Sequence, residues 1–75
     1  MEAVKFTINA DICDNVSSFL KEQYGDRSDV FIYPMFDDEI MVVADGNDVI
    51  SAITHDVRII CQYAKVERPK KDILK

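Results

Sequence analysis

Val30-Phe31-Ile32-Tyr33-Pro34-Met35-Phe36-Asp37-Asp38-Glu39-Ile40-Met41-Val42-Val43-Ala44 is the stretch whose reading decides the fold. Two runs of β-branched, aromatic and Met residues, Val30 to Phe36 and Ile40 to Ala44, flank three acids. Apolar runs of this length bounded by a short polar turn predict a hairpin. Pro34 has no amide proton to give to a ladder, so its strand belongs at a sheet edge. Both runs are apolar at successive positions rather than alternating. Phe31, Tyr33 and Met35 therefore oppose Ile32, Pro34 and Phe36, and Met41 and Val43 oppose Ile40, Val42 and Ala44, with greasy side chains on either side.

Upstream, Ala3 to Ile8 alternates, with Val4, Phe6 and Ile8 on one side and Ala3, Lys5 and Thr7 on the other. That is a strand with one buried face. From Asp11 the period changes. Ile12, Val16, Phe19, Leu20 and Tyr24 fall at helical spacing, with Asn9 or Asp11 available as N-cap and Gly25 as terminator. The polar loop Gly25 to Asp29 leads into the hairpin. The first strand reaches the second through a crossover helix, so placing the third between them gives an antiparallel sheet of order 1-3-2 with Pro34 outermost.

Downstream, Asp45-Gly46-Asn47 turns the chain and Asn47 is positioned to cap a second helix from Asp48 to about Lys65. Val49, Ile50, Ile53, Val57, Ile60, Cys61 and Ala64 share one helical face, while Ser51, Thr54, His55, Arg58, Gln62 and Lys65 share the other. Asp56 and Ile59 fit neither. The β-branched content of residues 57–66 supports a rival, a helix ending near His55 and then a fourth strand. The expected fold class is a small α+β two-layer sandwich. Its form is βαββα, with a three-stranded sheet and both helices on one face. The alternative is a four-stranded, ferredoxin-like βαββαβ arrangement. Residues 1–68 are expected to form one domain and residues 69–75 a basic C-terminal tail.

Seventy-five residues with 48% apolar and 31% charged side chains suit one globular domain, because two domains of that size would each be too small to exclude water. The longest apolar runs fall far short of the roughly 20 residues of a membrane-spanning helix. The start, Met1-Glu2-Ala3-Val4-Lys5-Phe6, lacks the basic and apolar regions of a secretory signal, so a cytoplasmic location is expected. Cys13 and Cys61 sit among Ile and Val within amphipathic patterns and read as small reduced core residues.

No cofactor, catalytic residue or metal ligand is expected. The only glycines, Gly25 and Gly46, form no phosphate-binding loop. Asp37, Asp38 and Glu39 read as a solvated turn rather than a cation site, and the single His55 lies on a polar helix face. Residues 1–64 carry 12 acids against four bases, and residues 65–75 five bases against two acids. An acidic body repels phosphate, so direct nucleic-acid binding is not expected, and Tyr24, Tyr33 and Tyr63 lack the flanking cations that base-stacking sheets use.

Two helices can cover only one face of the sheet, so the other face keeps the aromatic, Met and Val side chains of the hairpin. The expectation is a non-enzymatic protein-binding module that docks on a basic protein partner as an inhibitor or adaptor. By analogy with phage-encoded inhibitors, it would set carboxylates where phosphates would lie. Phe31, Tyr33 and Met35 would be the apolar anchors and Asp37, Asp38, Glu39, Asp45 and Asp48 the charged contacts. A structural homodimer with this face buried and a ferredoxin-like ligand-sensing domain are the alternatives. A tail folded back so that Ile73 and Leu74 cover the patch would remove the surface.

Overall fold

A computed structural model describes residues 1–74. Along the chain run β1 (Glu2–Thr7), α1 (Ala10–Tyr24), β2 (Val30–Phe36), β3 (Glu39–Ala44), α2 (Asn47–Tyr63) and β4 (Lys70–Leu74). The strands form one sheet of order β2-β3-β1-β4 with every neighbouring pair antiparallel. This is the ferredoxin-like βαββαβ form. The expected 1-3-2 core is present with Pro34 on the edge strand, and a fourth strand lies beyond β1.

That fourth strand is not the one weighed from the sequence. Residues 57–63 remain in α2, whose register buries Ile50, Ile53, Val57 and Cys61 on the sheet. The strand comes instead from the segment read as a basic tail, where Lys70 to Leu74 pair with Thr7 to Ala3. Lys70, Lys71 and Asp72 hid it, because an edge strand supplies backbone partners and little apolar area.

β1 and β3 form the centre. Val4, Phe6 and Ile8 from β1 and Ile40, Val42 and Ala44 from β3 are buried beneath Cys13, Val16 and Leu20 of α1 and the buried face of α2. Phe6 is fully enclosed, and burying such a ring contributes about 2–3 kcal/mol. Thr54, assigned to the polar face from the sequence, is buried, its hydroxyl donating to the Ile50 carbonyl at 2.7 Å. Phe19, assigned to the buried stripe, is 37% exposed, while Ser17 is buried.

The helix ends follow from local chemistry. Asn9 caps α1, its Oδ1 accepting from the Asp11 amide at 2.9 Å. Gly25 follows its last turn, its amide donating to the Lys21 carbonyl at 2.8 Å, and an added Cβ there would collide with that carbonyl oxygen. The N-cap of α2 is Gly46, not the expected Asn47, and its φ of 114° turns the chain from β3 into the helix without a side-chain cap. At the other end the Val66 amide donates to the Cys61 carbonyl at 3.2 Å and the Lys65 amide to the Gln62 carbonyl at 3.1 Å, a Schellman closure. Lys65 occupies its left-handed position at φ 57°. Val66 thereby packs back on the core and the chain is aimed at β4.

Candidate protein-binding face

Residues directly opposite one another in a sheet point to the same side, so the registers define the face away from the helices. One row reads Phe31, Val43, Ala3, Leu74 across β2, β3, β1 and β4. The next reads Tyr33, Met41, Lys5, Asp72. The face is thus apolar over the hairpin and charged over β1 and β4. Phe31 and Tyr33 are two residues apart on β2, and their rings lie nearly parallel at 12° with centroids 6.4 Å apart.

Exposure decides whether this surface is free. Phe31 is 40% exposed, Tyr33 46%, Met35 47% and Phe36 70%. These four side chains leave on the order of 400 Å² of mostly apolar surface in water, an area that on small proteins is often functional. The register slips between Pro34 and Phe36, and Phe36 pairs with Glu39. Phe36 therefore shares the register position of an outward residue instead of following Ile32 to the helix side. Ile32 alone of that trio packs against the core. The described residues of the tail do not cover the patch. Leu74 lies opposite Ala3, with two strands between it and β2, and Ile73 lies opposite Val4 on the helix side.

The acidic residues separate into two groups. Asp37 and Asp38 are exposed at the hairpin turn, and the Asp38 carbonyl accepts from the Ile8 amide at 2.7 Å, which fixes the turn against the end of β1. Glu39 is drawn onto the sheet by an ion pair with Lys5 at 3.5 Å. Asp45 and Asp48 lie at the other end of β3, roughly 20 Å along a six-residue strand from the turn. The Asp45 amide is held by the Asp29 carbonyl at 3.0 Å. Asp29 in turn accepts both Arg27 bonds, at 3.0 and 2.9 Å, and these hold its carboxyl below the usual range.

Phe31, Tyr33, Met35, Asp37 and Asp38 are therefore brought together on one hairpin, with Glu39 partly neutralised and Asp45 and Asp48 remote. The alternation in β1 put Lys5 on this face from the sequence, but Lys70 and Asp72 were missed, because the pairing that adds them depends on β4. Lys5 and Lys70 stand against Glu39 and Asp72, so the paired face is charge-balanced within a chain of net charge −5.

His55 is exposed, and Cys13 and Cys61 are free and buried. Among the described residues no group of three or more His, Cys, Asp or Glu side chains is placed to hold a metal ion, and no helix is long and apolar enough to cross a membrane. No protein-family model, curated protein or solved structure matches this chain.

Proposed function

We propose that this chain is a non-enzymatic protein-binding module of the cytoplasm, an inhibitor or adaptor that docks on a basic protein surface through its β2–β3 hairpin. One observation carries the reading: an uncovered aromatic and Met surface, Phe31, Tyr33 and Met35, sits beside two exposed carboxylates, Asp37 and Asp38, which make no ion pair among the described residues. Aromatic and Met side chains are the types that anchor interfaces, and rim charges of one sign steer a partner of the other. The excess of acid over residues 1–64 favours the same class of partner.

A photo-crosslinking side chain at position 33 tests this, with position 22 on α1 as the control. Capture from 33 and not from 22 supports the reading. Reversing Asp37 and Asp38 to Lys should then slow association with the captured protein about tenfold at low salt. An unchanged rate removes the electrostatic part, and equal capture from both positions removes the face.

The charge balance of the sheet face favours a second reading, a homodimer that buries it. Two copies meet there without net repulsion, although stable interfaces bury about 800 Å² per partner and the aromatic patch offers roughly half of that. Sedimentation decides: a mass independent of concentration and equal to one chain excludes the dimer.

A further inference from the structure

Two helices do not roof four strands. α2 lies over β3 and β1 and its backbone stays clear of β4, so the helix-facing side of β4 is only partly covered, and Ile73, opposite Val4, is 66% exposed. Two separate hollows are left along the side of α2 that faces β4. Near the start of the helix one is lined by Ile50, Ser51, Lys71 and Ile73. Near the end a cleft of about 360 Å³ is lined by Arg58, Cys61, Gln62, Val66 and Arg68. Positions 50, 51, 58, 61 and 62 follow helical spacing on one stripe, so both hollows lie on the same side of α2.

The charge of this cleft is opposite to that of the chain. Of the three arginines, Arg27 is held by Asp29, whereas Arg58 and Arg68 make no ion pair among the described residues and line the same hollow. Between them the floor is apolar, formed by buried Cys61 and by Val66, which the Schellman closure presses onto the core. The carbonyls of Ile60, Cys61 and Gln62 are already taken by the amides of Ala64, Val66 and Lys65. They therefore compete weakly for the guanidinium donors. A cleft of this volume is at the small end of ligand sites, and paired arginines recognise carboxylates through charge-assisted, often bidentate bonds.

We propose that the cleft between α2 and the Val66–Arg68 segment binds a small carboxylate with a short apolar body, the carboxylate held by Arg58 and Arg68 and the body resting on Cys61 and Val66. The site lies on the helix side of the molecule, so it stands independently of the hairpin face. Arg68 also borders a hollow containing Asp38 and Glu67. Those carboxylates are the internal competitors of the ligand, and removing one should tighten binding.

The test is an amide chemical-shift titration of the full chain with hexanoate and benzoate, using hexanamide and benzamide as neutral probes of the same shape. The acids should shift the amides of Arg58, Gln62, Val66 and Arg68, and the neutral probes should shift them far less. Arg58→Gln and Arg68→Gln should each weaken binding about fivefold, and Glu67→Gln should strengthen it. All three positions are exposed, so the variants should keep the wild-type dichroism spectrum. Equal response to acid and amide, shifts centred elsewhere, or unchanged affinity in the Arg58→Gln/Arg68→Gln double variant overturns the proposal.

Discussion

The Tyr24 hydroxyl donates to Asp56 Oδ2 at 2.7 Å and ties the last turn of α1 to the middle of α2. It explains why Asp56 fits neither face of its own helix: its partner is 32 residues away. Burial, and then the bond and charge of Asp56, push the Tyr24 phenol up to about 12. The folded chain thus holds this proton more tightly than the unfolded chain, whose phenol titrates near 10. The contribution is complete below pH 10 and is lost as pH rises through 12. Tyr24→Phe should cost about 1 kcal/mol at neutral pH and flatten the alkaline limb of the urea midpoint measured against pH.

Phe6 is at the centre of a domain with little stability in reserve. Truncation to Ala should cost about 3–5 kcal/mol, comparable to the whole stability expected at this size. Loss of the cooperative thermal transition by circular dichroism is the expected outcome, while Phe6→Leu should keep the transition at a lower midpoint.

At the end of α2, Lys65 adopts a left-handed conformation that costs a side-chain-bearing residue about 1 kcal/mol. Lys65→Gly relieves that strain but loosens the unfolded chain, for a net gain of about 0.5 kcal/mol. A β-branched residue such as Val should reverse the sign. Chemical denaturation of the three proteins side by side gives the ordering directly.

Burial pushes the Cys13 thiol up, with the Asp14, Asp38 and Asp37 charges adding to it, and burial alone does so for Cys61. Both thiols should resist aromatic disulfide reagents in the folded protein and react at the rate of unfolding. Immediate modification of either thiol in the native state would contradict the packing described.

The elements with strong periodicity were readable from the residues. Val4, Phe6 and Ile8 announced β1 by alternation. Ile50, Ile53, Val57 and Cys61 outweighed the strand preference of their own side chains once they could pack as one helical stripe. What escaped was set by partners distant in sequence. β4 needed the free edge of β1, Thr54 needed the Ile50 carbonyl, and Asp56 needed Tyr24. The apolar half of the candidate face was visible because the hairpin is greasy at consecutive positions. The division of the acids between its two ends, and the register slip that brings Phe36 outward, were not, because both depend on where strands begin and end.

Pro34 sits on the outermost strand where the ladder also slips. A neighbouring chain trying to zip onto that border would meet a missing donor and a broken spacing, which denies it the template that fibrils grow on. The molecule can carry sticky side chains in the open because its backbone there is a poor pattern to copy.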